Sequence, residues 1–183
     1  MAIDGKKVAF LVSKEGIEQV ELTEPWQAVE QAGGVPHLIS IDPGTVQGYQ
    51  HLDKGDTFRV DQTASEAAPT DFAALVLPGG VANGDLLRWQ QPAQDFVRGF
   101  TGLGRPVAVI CHGGWVLIET GAVDGRRVTS WPSMATDFRN AGADWVDEQL
   151  VVCTNGPFNL ISSRKPDDLP AFCDELVAQI EKV

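Results

Sequence analysis

Four short apolar runs constrain this chain more than any other feature. Residues 8–12 (VAFLV), 36–41 (PHLISI), 73–77 (AALVL) and 107–110 (VAVI) are each too short for a helix and nearly unbroken. A strand with one wet face alternates apolar and polar residues. Unbroken runs rich in Val, Ile and Leu belong to strands buried on both faces. Helical patterns lie between them: residues 20–32, closed by Gly33-Gly34, and residues 92–103, opened by proline and closed by Gly104. This alternation predicts an α/β fold, a mainly parallel sheet with helices on both faces. Residues 44–60 read as a loop or small hairpin, and 127–130, 150–152 and 160–163 as further strands. Residues 167–180 read as a terminal helix with Leu169, Phe172, Leu176 and Ile180 on its apolar face, opened by Asp167-Asp168 as N-cap and first turn.

Such a sheet needs one sizeable core. A chain of 183 residues, 43% hydrophobic, supplies one and not two, so a single domain over 1–183 is expected. The formal charge of −11, from 25 acids against 14 Lys and Arg, makes nucleic acid and anionic membranes poor partners. No window approaches the about 18 apolar residues of a membrane span, and residues 1–15 carry no cleavage-type segment, so neither a span nor a signal peptide is expected. Cys111, Cys153 and Cys173 are odd in number and lack ligand spacing, which points to a reducing cytoplasm, a free thiol and no metal. No Walker-type glycine run occurs, and no cofactor is expected.

The chemistry-bearing residues fall at strand ends. Cys111 and His112 follow the strand 107–110, and Gly113-Gly114 then allow a sharp turn into a helix running to about Thr120. Helix N-terminal amides favour thiolate, so Cys111 is expected to titrate below the about 8.5 of a free thiol. The arrangement is that of a nucleophile elbow with cysteine for serine, although Val109 stands where the elbow's leading glycine belongs. Adjacent side chains diverge along an extended chain, which leaves His112 two roles: a base, or an orienting residue facing away. "ALVLPGG" (74–80) ends at the same sheet edge with Gly79 and Gly80, whose amides, with that of His112, could hold an oxyanion. "GIEQVEL" (16–22) brings carboxylates there. His37 and His51 read as structural, Cys153 and Cys173 as packing or surface thiols.

With these segments in order, and with "TSWPS", "NAGADWVDE" and "SRKPDDLPAF" after them, the chain resembles the PfpI family of the class I glutamine amidotransferase-like superfamily over nearly its whole length. The resemblance implies a flavodoxin-like three-layer sandwich and a homodimer, in some members a trimer of dimers. It also implies a cysteine nucleophile, Cys111, with a buried glutamate beside it, assigned by motif to Glu18. Protease-like members add an acid from a neighbouring subunit, carried over here to Asp85 in "GGVANGDLLR". Trp115 stands where many relatives have glutamine and is expected to narrow the pocket, which Trp131 of "TSWPS" would also line.

Three functions follow. The first is a cysteine-dependent hydrolase or lyase acting on small reactive carbonyls or glycated substrates. The second is a cysteine peptidase with a Cys111–His112–Asp85 relay. The third is a redox sensor or chaperone in which Cys111 is oxidised. The expected setting is a cytoplasmic stress response, with carbonyl repair ahead of peptidase.

Overall fold

The computed structural model describes residues 3–183. The chain begins with β1 (Lys7–Leu11), β2 (Glu15–Glu18), α1 (Gln19–Gln31), β3 (Val35–Ser40), β4 (Thr45–Gln50), β5 (Asp53–Arg59) and β6 (Gln62–Thr63). It continues through β7 (Ala74–Leu77), α2 (Val81–Arg88), α3 (Gln91–Thr101), β8 (Val107–Ile110) and α4 (Trp115–Glu119). Last come β9 (Arg127–Val128), α5 (Ala135–Asn140), β10 (Asp144–Trp145), β11 (Leu150–Cys153), β12 (Leu160–Ser163) and α6 (Leu169–Ile180).

Seven strands form the main sheet in the order β11-β12-β8-β7-β1-β3-β6. All neighbours are parallel except β11, which runs antiparallel to β12. The unbroken apolar runs are explained by burial on two sides. In and beside β1, Ala9 and Leu11 enter one apolar cluster while Val8, Phe10 and Val12 enter the other, and all five are fully buried. Each of the four larger side chains contributes about 1.5–3 kcal/mol relative to exposure. The fold is the flavodoxin-like α/β sandwich, and the hairpin read at 44–60 is β4 paired antiparallel with β5, with β2 added parallel to β4. Among the described residues no helix is long and apolar enough to cross a membrane.

The segment after Pro-Gly-Gly is a helix, α2, with Leu87 of "NGDLLR" buried on its inner face. Two expectations, for residues 127–130 and for Asp168, are corrected. Residues 127–130 supply only the two-residue β9, which pairs with β10 outside the main sheet. The helix expected after Gly113-Gly114 is α4, entered through a 3-10 turn over Cys111–Gly114 and capped at Thr120. Asp168 does not cap α6 with its side chain; its buried carboxylate instead accepts from the backbone N–H, Nε and Nη2 of Arg164.

The chain leaves β1 toward β3 on one side and returns through β7 and β8 on the other. The switch point therefore lies between β1 and β7, and a crevice at such a point lies beyond the carboxyl ends of the strands.

Candidate functional site

Cys111 stands at the carboxyl end of β8 with φ +59°, a left-handed backbone rarely held by a residue with a side chain. Gly113 makes room for it: a Cβ there would run into the carbonyl oxygens of Leu77 and Pro78. Leaving the extended conformation removes the divergence expected of adjacent side chains. His112 turns toward its neighbour, and its Nδ1 lies 3.1 Å from the Cys111 Sγ. The imidazole is buried between two indoles, with Trp115 at 5.1 Å and Trp131 stacked at 5.8 Å between ring centroids. Burial holds His112 down at about 4, so the ring is neutral at neutral pH.

The glutamate beside the sulfur is Glu21, and the assignment to Glu18 is corrected. Glu18 ends β2 and turns toward the β4–β5 turn, where its Oε2 accepts the backbone N–H of His51 at 3.2 Å and lies 3.7 Å from the His51 Nδ1. Glu21 is in the first turn of α1 and wholly buried. Its Oε2 accepts the Gly79 N–H at 2.9 Å and its carboxyl faces the Cys111 thiol. Burial first, then the charge of Glu18, raises Glu21 to about 8, so it is a neutral acid at neutral pH. With Oε2 committed as an acceptor, the proton belongs on Oε1, which is buried and makes no hydrogen bond of its own. A sequence signal for this existed: Glu21 shares the inner face of α1 with Pro25 and Val29 at i+4 and i+8, whereas Glu18 precedes the helix.

The backbone amides of Gly80 and His112 point at the sulfur. Gly79 is removed from the expected oxyanion set, because its amide is spent on Glu21. It still has to be glycine: a Cβ would meet the Glu21 carboxylate and lie 2.6 Å from the Cys111 Cβ. The expected depression of the Cys111 pKa is not found. Burial pushes the thiol up, and a charge on Glu21 would push it further, against the two amides. Below about pH 8 Glu21 holds its proton, so that second opposition is absent and the two amides alone act on a thiolate.

One residue of the site had no motif to announce it. Asn83, fully buried in α2, donates from Nδ2 to the carbonyl oxygens of Pro78 at 2.9 Å and Gly79 at 3.1 Å. Its Oδ1 accepts the Ser13 N–H at 2.7 Å. It thereby ties the Pro-Gly-Gly turn to the end of β1. Trp115 packs against His112 and donates from Nε1 to Asp137 at 3.0 Å. Trp131 is partly exposed and borders a cavity of about 330 Å³ shared with Pro132, Asp147, Arg164 and Lys165. Asp85 sits exposed on α2 and makes no contact with His112 within the protomer. Among the described residues no group of three or more His, Cys, Asp and Glu could hold a metal ion.

Residues 6–179 match the family model described as the DJ-1/PfpI family. The chain belongs to the DJ-1/PfpI family. It is 39% identical over 179 residues to general stress protein 18 of Bacillus subtilis, covering 97% of this chain and 99% of that one. It is 40% identical over 171 residues to a deglycase of Pyrococcus horikoshii, covering 93% and 97%. Among solved structures, a two-domain Anabaena variabilis protein with DJ-1/ThiJ/PfpI-like and ferritin-like domains superposes with a TM-score of 0.87 at 33% identity. That match covers 96% of this chain and 48% of the Anabaena protein, so this chain spans about half its length.

Proposed function

We propose that this protein is a cysteine-dependent hydrolase or lyase that repairs reactive carbonyls, glyoxal-type aldehydes or their early adducts, in a stress response of the cytoplasm. The observation that carries the reading is the convergence on one sulfur of the Gly80 and His112 amides, a neutral imidazole and a protonated carboxyl. As Sγ adds to the aldehyde carbon, its proton passes to Nδ1 of His112, and the carbonyl π pair becomes an oxyanion held by the two amides. Protonation of that oxygen gives a hemithioacetal. With a 2-oxoaldehyde, transfer of the C1 proton to C2 and of the hydroxyl proton from the C1 oxygen to the C2 oxygen converts it to a thioester. Water then cleaves the thioester, freeing the thiol and a 2-hydroxy acid, with no external oxidant. The indoles of Trp115 and Trp131 flanking His112 support a small substrate over a folded protein. The names of the stress-protein and deglycase relatives support the same direction.

Asp85 enters this reading as an acid contributed across a subunit contact of a homodimer or trimer of dimers. It lies on the exposed side of α2, whose flanks also expose Val81 and Trp89. The test is consumption of methylglyoxal with release of lactate, by wild type and by Cys111→Ser. Turnover confined to wild type supports the proposal. Equal turnover by both, or none by either, overturns it.

One observation favours a second reading. The neutral Glu21 against Sγ could donate a hydrogen bond to a sulfinate, as a peroxide sensor requires. A wild type inert toward carbonyls, with Cys111 stopping at the sulfinic acid under peroxide, would select it.

A further inference from the structure

At the sheet edge opposite Cys111, a cavity of about 370 Å³ lies between the end of α3, the end of α4 and the β11–β12 loop. β8 runs from this edge to the catalytic one: its first residue, Val107, donates to the carbonyl of Asn159, the last residue of that loop. The volume lies within the about 300–1,000 Å³ of small-molecule sites and well above the about 30 Å³ share of one water.

Arg126 lines this cavity and is only 4% exposed. Its Nη2 donates to the carbonyl oxygens of Cys153 and Phe158, and its guanidinium lies over the Phe158 ring, 4.0 Å from the centroid. Nε and Nη1 have no acceptor. A Cβ on Gly156, another lining residue, would stand 3.1 Å from Nη1, which places that nitrogen at the cavity wall. Among the described residues every arginine–carboxylate pair involves another arginine. A guanidinium cannot relieve its burial by losing a proton, so it calls for an acceptor that carries charge. Arg98 and Asp124 also line the cavity; Arg98 is paired with Asp95 outside the lining at 3.4 Å, which leaves Asp124 the one lining acid.

We propose that this cavity is a binding site for a small oxyanion, a carboxylate- or phosphate-bearing molecule accepted by Nη1 of Arg126, remote from Cys111 and independent of its chemistry. The test titrates the full chain with sodium phosphate and, separately, sodium acetate, against sodium chloride at matched ionic strength. The readouts are the thermal midpoint and the ¹H–¹⁵N shifts of Gly121, Asn155 and Gly156. A saturable response at those amides is expected, with the midpoint raised about 3–6 °C at tenfold Kd. Response to acetate alone assigns a carboxylate, to phosphate alone a phosphate, and to both a general oxyanion site. Arg126→Met should abolish it. Thr101→Trp, which obstructs the cavity while leaving the guanidinium in place, should do so too, and decides the matter if Arg126→Met does not fold. A response absent from wild type, non-saturating, or unchanged in Thr101→Trp overturns the proposal. Loss of carbonyl turnover in Cys111→Ser has no bearing on it.

Discussion

The Sγ of Cys111 lies 3.1 Å from Nδ1 of His112, although the two residues are consecutive in the chain. Consecutive side chains converge only because Cys111 holds φ +59°, so the strain at the strand end is itself what assembles the pair. Glu21 completes the group from α1, and its protonation governs several measurable properties.

Stability against pH should show two opposed transitions. Burial, with the Glu18 charge added, raises Glu21 from 4.5 to about 8, and burial lowers His112 from 6.5 to about 4. Between pH 4.5 and 6.5 the folded chain keeps the Glu21 proton while the unfolded chain keeps the His112 proton, so the two slopes cancel. From 6.5 to about 8 only Glu21 differs; the folded state binds the extra proton, and stability falls by about 2 kcal/mol as pH rises. Urea unfolding across this range checks it. Glu21→Gln should gain stability up to pH 6.5 and then stay level, whereas His112→Asn should lose stability throughout 4.5 to 8. A wild type that gains stability above 6.5 would falsify the buried protonated Glu21.

Alkylation of Cys111 should separate the two roles of Glu21. At about pH 7 the acid is neutral, and wild type and Glu21→Gln should react with iodoacetamide at similar rates. At about pH 9 the carboxylate opposes the thiolate, and Glu21→Gln should react about tenfold faster. Site-resolved mass spectrometry distinguishes Cys111 from Cys153 and Cys173. Equal rates at both pH values would remove Glu21 from contact with the sulfur.

Asn83→Ala should weaken the turn that presents the Gly80 amide. The substitution strands the Ser13 N–H and the Pro78 carbonyl oxygen inside the protein, while the Gly79 carbonyl keeps the Glu18 N–H, a cost of about 2–4 kcal/mol in urea unfolding. If the turn is held in place by this side chain, kcat should fall at least about tenfold with KM little changed, since the amide acts on charge that develops after binding. A stability loss with kcat intact would leave Asn83 a structural residue only.

Asp85→Asn should leave unfolding within about 0.5 kcal/mol of wild type, because the side chain is exposed. If the acid serves His112 of a neighbouring protomer, turnover should nevertheless drop, and dilution of wild type should lower specific activity toward the same floor. Full turnover by Asp85→Asn at every concentration would leave Cys111, His112 and Glu21 as the working set.

The sequence by itself determined the sheet and its strand ends. Runs such as VAFLV and VAVI carry no polar residue to face water, so only strands covered on both sides accommodate them, and the residues that follow them reach one edge whatever the loops do. Cys111, Gly80 and His112 were legible for that reason. Tertiary structure decided what adjacency and spacing could not. Glu18 and Glu21 lie three residues apart, and only the start of α1 at Gln19 turns Glu21 inward and leaves Glu18 to the His51 hairpin. The left-handed backbone at Cys111 brought His112 to the sulfur against the divergence of neighbouring side chains. The thiol's pKa moved upward because desolvation in a packed crevice outweighs two amides, a balance set by how much of the surrounding protein closes over the site.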